Sequence, residues 1–139
     1  MALPTPTEVN EFGTREYPAM TDAGFRCESM SEAVCVARWT HDPSTLRPGG
    51  LISGPVQVTA ADLALWCLSF TIVGLQPMAV TSDLAITFLR PAAGGDLLAA
   101  ATLLRAGRTR ISGRVDIRVD GSDQLVSHAT GSYALLEPR

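Results

Sequence analysis

The sequence contains no lysine: all eleven basic residues are arginine, and the formal net charge is -3. Nucleic-acid-binding domains usually carry excess positive charge on one face, so this balance argues against a general nucleic-acid binder. Five arginines nevertheless lie between Arg105 and Arg118. Two interpretations stay open: Arg108 and Arg110, at a predicted turn, match the geometry of phosphate oxygens, or the cluster is the solvated face of two paired strands.

The sequence also has little with which to bind a metal or form disulfides. Its three cysteines cannot all pair, and they share no metal-binding spacing with the two histidines. Cys27 and Cys35 could face each other across a hairpin, but we expect buried thiols. The opening MALPTPTEVNEFG lacks the basic start and apolar run of a signal peptide. We therefore expect a cytoplasmic protein without a metal or redox cofactor.

A chain of 139 residues suits one domain with a buried core, and we expect residues 1–139 to form it. Residues 1–23 are predicted to be an N-terminal extension. It contains a short helix at 4–12, which Thr5 or Thr7 would cap and Gly13 would stop.

Alternating apolar and polar residues predict a mostly antiparallel sheet. In the clearest segment Val80, Leu84 and Ile86 share one face and Thr81 lies on the other. One long helix packed on such a sheet is an α+β arrangement. The predicted strands are residues 24–28 and 33–39, as a hairpin or one bent strand, followed by 78–88, 97–105, 111–119 and 125–136. Residues 97–105 are also good helix formers, but we predict a strand because Gly107 and another strand follow closely.

The longest apolar run covers residues 56–75 and contains one carboxylate, Asp62. As a helix it would be about 30 Å long, enough for a bilayer. The strands on both sides favour instead a core helix wrapped by the sheet, and no membrane. Pro55 suits the first helical position, with Gly54 as the N-cap. The free N–H groups of such a start can stabilise a carbonyl oxygen that becomes negative.

Several short motifs occur in a recognisable order: RPGG at 47–50, SGP at 53–55, AVT at 79–81, ITFLRPA at 86–92 and ATGSY at 129–133. Together with Ala61-Asp62 they resemble the hotdog-fold acyl-CoA thioesterases of the phenylacetate-degradation (PaaI-like) type, within the hydroxybenzoyl-CoA thioesterase superfamily. The resemblance spans residues 24–136. It implies a sheet curled around the central helix, a homodimer or dimer of dimers, and an acyl-CoA site between protomers.

The resemblance also implies roles for three residues. Asp62 would be the general base or nucleophile, the N–H of Gly54 would hold the thioester carbonyl, and Thr81 would position the attacking water. Thioester hydrolysis needs such a base and such a donor. The leading interpretation is therefore hydrolysis of acyl-CoA to free acid and CoA.

This sequence departs from the family pattern at the start of the helix. The usual His-Gly-Gly is Ser53-Gly54-Pro55, and the upstream Asn falls on Arg47. We expect Ser53, Pro55 and Arg47 to lie near the substrate. Trp66, one turn from Asp62, either lines the acyl pocket or belongs to the core. Because the histidine is missing, acyl-CoA binding without turnover stays an alternative, and a hydratase-like activity would need another histidine such as His41.

Overall fold

The computed structural model describes residues 2–139, which form three α-helices and six strands. The helices are α1 (Pro6–Glu16), α2 (Pro18–Asp22) and α3 (Gly54–Val73). The strands are β1 (Phe25–Met30), β2 (Val34–Trp39), β3 (Ala79–Phe88), β4 (Leu97–Ala106), β5 (Arg110–Val119) and β6 (Leu125–Leu135).

All six strands form one sheet in the order β1-β2-β4-β5-β6-β3, with every neighbouring pair antiparallel. The core lies between this sheet and α3, whose central residues are buried on every side. A helix that is apolar all round needs such enclosure. The helix is long and apolar enough to cross a membrane, yet here the sheet wraps it. The predicted α+β arrangement is therefore confirmed.

Two glycines allow α3 to lie close to the sheet. Gly113 and Gly131 are cross-strand partners on β5 and β6. A Cβ atom at Gly113 would lie 2.7 Å from Leu65 Cδ2, and one at Gly131 would lie 2.8 Å from Leu65 Cδ1. Real Cβ atoms do not approach other atoms so closely, so Leu65 occupies the space that side chains at these positions would fill.

The N-terminal extension differs from its prediction. Thr5 caps α1 through a capping box with Glu8, as expected, but Gly13 does not stop the helix, which continues to Glu16. Glycine weakens a helix by only about 1 kcal/mol, which the buried Val9 and Phe12 outweigh. A second helix, α2, was not predicted.

The three thiols are free and buried. Cys27 lies opposite Ala37 and Cys35 opposite Met30, so the two cysteines do not face each other across the hairpin. A bulge between Cys27 and Ser29 shifts the register of β1 against β2. Burial raises the pKa of the Cys35 thiol to about 11.

Candidate active site

Asp62 receives two side-chain hydrogen bonds from the sheet. Thr81 Oγ1 donates to Asp62 Oδ1 at 2.6 Å, and the Tyr133 hydroxyl donates to the same oxygen at 2.6 Å. The Tyr133 hydroxyl also lies 3.0 Å from the backbone oxygen of Asp62. The second carboxylate oxygen accepts no hydrogen bond from the described residues. One oxygen of Asp62 is thus held in place while the other is free to accept a proton.

A bulge in β3 aims Thr81 at Asp62. The pairing of β3 with β6 shifts between Thr81 and Asp83, so strict alternation is broken there. Thr81 bonds to the helix, and Leu84, three positions later, also packs towards it. The prediction that Thr81 lies opposite Leu84 and Ile86 was therefore wrong, because one extra residue reverses the face of the strand.

Tyr133 is a site residue that was not predicted from the sequence. It lies opposite Thr81 in the sheet, and burial, followed by the negative charge of Asp62, raises its pKa well above the ordinary value. The phenol therefore stays protonated and acts as a donor to the carboxylate. A signal was present: tyrosine ends an alternating row of small residues at Ala129 and Gly131, and a buried tyrosine hydroxyl needs a partner.

The other polar residues of α3 do not contact Asp62. Thr59 Oγ1 donates to the Pro55 carbonyl at 3.0 Å, and Ser69 Oγ donates to the Trp66 carbonyl at 2.5 Å. Both hydroxyls therefore donate their hydrogen bonds to backbone carbonyls of their own helix. The polar surroundings of Asp62 come from β3 and β6 instead.

The N-terminus of α3 has one backbone N–H without an acceptor among the described residues. Ser53, not Gly54, is the N-cap, and its Oγ accepts from the Val56 N–H at 3.3 Å. The Gln57 N–H bonds to the Ser53 carbonyl at 3.3 Å, and Pro55 has no N–H. Gly54 is the first helical residue, and its N–H donates to no acceptor among the described residues. The positive end of the helix dipole is therefore presented at Gly54 alone.

The ring of Phe88 packs close to Gly54. A Cβ at Gly54 would lie 3.2 Å from Phe88 Cζ, and the half-exposed ring lies over this position. A cavity of about 460 Å³ opens beside them. Arg47 and Arg90 both line it, and neither has a carboxylate within 4.0 Å among the described residues. Arg90 was not among the predicted site residues.

A second cavity, of about 220 Å³, adjoins Asp62. Trp66 borders it and makes edge contacts with the rings of Tyr17 at 6.1 Å and Phe70 at 5.0 Å. Trp66 thus belongs both to the core, being 7% exposed, and to the wall of this cavity.

The family is settled by sequence. The thioesterase superfamily profile matches residues 49–126, more than half of the chain. This chain belongs to the thioesterase superfamily. The matched region includes α3 and β3, and therefore Gly54, Asp62 and Thr81. No curated protein is similar enough in sequence to match it.

Solved structures of this superfamily share its fold. A candidate thioesterase from Silicibacter sp. TM1040 is 27% identical, with a TM-score of 0.86 over 96% of this chain and 94% of that chain. A thioesterase from Haemophilus influenzae is 22% identical, with a TM-score of 0.82 over 98% and 93%. The E. coli PaaI protein of the phenylacetic acid degradation operon is 23% identical, with a TM-score of 0.74 over 90% and 93%. The predicted resemblance to PaaI-like hotdog proteins is confirmed.

The remaining candidate residues of this thioesterase-superfamily chain lie elsewhere. Arg108 and Arg110 lie at the β4–β5 turn, outside the cavity of Gly54. Arg110 pairs with Ala134, which pairs with Val80, so the turn is at the same end of the sheet as Thr81. Residues 2–139 contain no cluster of three or more potential metal ligands.

Neither histidine contacts Asp62. The ring of His41 packs against Trp39 at 5.9 Å, and its backbone N–H donates to Asp96. His128 Nδ1 lies 2.8 Å from Asp116 Oδ1, on the face of the sheet away from α3. The histidine–carboxylate pair that a hydratase-like activity would need does not occur beside Asp62.

Proposed function

We propose that this protein hydrolyses acyl-CoA thioesters to the free acid and CoA, with Asp62 as general base. The observation that carries the proposal is the Asp62 carboxylate, oriented by Thr81 and Tyr133 beside a mainly apolar cavity in a thioesterase-superfamily chain. The chemistry needs no metal or redox cofactor. The expected setting is the cytoplasm, where the three thiols would stay reduced.

The free oxygen of Asp62 takes a proton from water as the water oxygen attacks the thioester carbon. The Thr81 hydroxyl uses its hydrogen to donate a hydrogen bond to Asp62, so its lone pairs can accept the other water hydrogen and orient the nucleophile. The carbonyl oxygen becomes negative and accepts a hydrogen bond from the N–H of Gly54. The C–S bond then breaks, and the leaving CoA thiolate takes the proton that Asp62 received from water, which restores the carboxylate.

One protomer cannot supply both groups to the same thioester. Gly54 and Asp62 are eight residues apart on α3, about 12 Å along the axis and about 80° around it. A tetrahedral intermediate is far smaller than this separation. The donor must therefore come from a second copy of the chain, and the proposed enzyme is at least a homodimer, or a dimer of dimers.

The edge strand β3 has a geometry that suits this assembly. Thr81 contacts Asp62, and Phe88 contacts Gly54. If two β3 strands pair antiparallel about a two-fold axis between Leu84 and Ala85, Phe88 of one protomer comes opposite Thr81 of the other. This pairing brings the Gly54 of one chain towards the Asp62 of the other.

The exposed surface of β3 favours the same assembly. Its side chains Val80 and Phe88 are 44% and 50% exposed, and Met78 and Leu89 beside it are 52% and 51% exposed. A long apolar edge strand is normally covered, since it would otherwise aggregate. A second copy of β3 is the partner that the composite site requires.

The cavity beside Gly54 suits the polar part of the substrate. Within residues 2–139, Arg47 and Arg90 have no carboxylate partner, and guanidinium groups bind phosphate oxygens well. We assign the CoA phosphates to this side. Ser53 and Pro55 flank Gly54 in the chain but do not border the cavity. Arg108 and Arg110 are further candidates for phosphate contact, at the end of the sheet near Thr81.

The decisive experiment is CoA release from a panel of acyl-CoA esters by the parent and by Asp62→Asn. Asparagine keeps an acceptor for Thr81 and Tyr133, so we expect a folded dimer with kcat reduced at least about a hundredfold. Equal rates would refute the role of Asp62. Tight acyl-CoA binding with no released thiol from the parent would favour the binding-protein alternative.

Mixing two inactive variants tests the shared site. An Asp62→Asn protomer and a Gly54→Pro protomer would form heterodimers in which one site has both wild-type groups. After random exchange about half of the dimers are mixed, which restores about a quarter of the sites. No recovery, with exchange verified by mass spectrometry, would contradict the composite site.

A further inference from the structure

The N-terminal extension borders the cavity beside Asp62. Tyr17 and Met20, at the α1–α2 junction and in α2, line it together with Trp66 of α3. The Tyr17 ring meets the Trp66 ring edge-on at 6.1 Å. The extension thus supplies one end of the cavity that adjoins the carboxylate.

The extension is fastened to the body of the protein. Asn10 Nδ2 donates to the Cys27 carbonyl at 3.0 Å, and the Cys27 N–H donates to Asn10 Oδ1 at 2.7 Å. Phe12 is buried and packs against Trp66 and Phe70 at 6.0 and 5.5 Å. This end of the cavity is therefore a fixed wall.

A second, smaller cavity of about 20 Å³ lies behind that wall. Met20, Leu63 and Trp66 border both cavities. Of the three, only Met20 belongs to the extension, and it is half-buried. The Met20 side chain is thus part of a partition between the Asp62 cavity and the space beside Cys27 and Cys67.

We propose that Met20, supported by Tyr17 and Trp66, sets the upper length of the acyl chain that this protein accepts. The inference rests on the proposed thioester hydrolysis. Apart from Asp62, Thr81 and the Tyr133 hydroxyl, the cavity is bordered by largely apolar side chains, which suits an acyl chain better than the polar pantetheine arm. Arginines line the other cavity, beside Gly54.

The volume of the cavity beside Asp62 gives the expected maximum length of the acyl chain. An apolar cavity of about 150 Å³ holds one benzene molecule of six carbons. By the same ratio the cavity of about 220 Å³ holds about eight to nine carbons. Each buried methylene should raise kcat/KM about fourfold until the chain reaches Met20, and longer chains should then lose this gain.

The test is kcat/KM for straight-chain acyl-CoAs from acetyl to palmitoyl. We expect the parent to peak near octanoyl. Met20→Ala, which joins the two cavities, should move the peak about two to four carbons longer, and Met20→Phe should move it shorter. Met30→Ala is the matched control, because it makes the same truncation on β1, away from both cavities, and should leave the profile unchanged.

Several results would overturn the inference. A parent profile that rises steadily to palmitoyl, or equal profiles for Met20→Ala and Met30→Ala, would exclude Met20 as the limit. If Met20→Ala does not fold, a Met20→Phe profile with the same peak as the parent would exclude Met20 as the limit. If no ester is hydrolysed, the proposed function fails separately. Dissociation constants for the same series and variants then test the length limit, with the same shifts expected.

Discussion

Replacing Gly54 with proline removes one hydrogen-bond donor and leaves the helix able to form. Gly54 is the first residue of α3, where proline is favoured because its missing N–H has no intrahelical acceptor. Ser53 has φ -68° and ψ 154°, the extended conformation that a residue before proline prefers. We therefore expect Gly54→Pro to fold and dimerise, with an unfolding temperature within a few degrees of the parent.

The expected effect on catalysis is large. If the Gly54 N–H stabilises the oxyanion, its removal should lower kcat about 10²- to 10³-fold, the usual cost of one such donor. The effect should fall mainly on kcat, because the bond strengthens as the oxygen becomes negative. Stopped assays of CoA release at saturating substrate measure it directly.

Gly54→Ala is the matched control. It adds a Cβ 3.2 Å from Phe88 Cζ, as proline does, but keeps the N–H. The Phe88 ring is 50% exposed and can move aside. We therefore expect kcat to change by less than about threefold, as for an ordinary surface substitution. Comparable kcat for the two variants, both dimeric, would refute the role of this donor.

Three further predictions concern the supports of the site and the fold. Tyr133→Phe removes a donor to Asp62 Oδ1 and should lower kcat/KM about 10- to 100-fold, whereas Ser112→Ala, which breaks the 2.8 Å bond to Ser132 on the other face, should not. Gly131→Ala should destabilise the protein by about 1–3 kcal/mol, because its Cβ would meet Leu65 and the Asp83 carbonyl at 2.8 Å, while Gly13→Ala, with open space, should raise the unfolding temperature. Hydrogen bonds from the His41 N–H and then from Arg38 lower the pKa of Asp96. The ionised carboxylate therefore stabilises the fold above about pH 4, and this stabilisation is lost as pH falls below that value. Thermal unfolding between pH 3 and 5 should therefore depend less on pH in Asp96→Asn than in the parent; parallel curves would contradict this.

The sequence predicted the central helix and the strand segments to within a few residues. Periodicity alone did not assign residues 97–105, which are good helix formers and were predicted as a strand because a turn and another strand follow them, and it left open whether residues 24–39 form a hairpin or one bent strand. It could not predict the bulge at Thr81, because an extra residue leaves no mark in an alternating pattern until the pairing partner is known. For the same reason the sequence could not assign Tyr133 to Asp62: the two are 71 residues apart, and only the sheet brings them together. The α2 helix is five residues long, too short to show a period.

The departures from the family's His-Gly-Gly concentrate the donor properties of the helix start on one atom. Pro55 removes the N–H that the second glycine would supply, and the Ser53 hydroxyl occupies the N–H of Val56. The partial positive charge of the α3 terminus is thus left to Gly54, without a competing donor beside it. In the proposed mechanism the oxyanion donor is the Gly54 N–H, so it does not depend on the missing histidine, and orientation of the water falls to Asp62 and Thr81. On this proposal a chain without a histidine at this position would keep the chemistry of the superfamily.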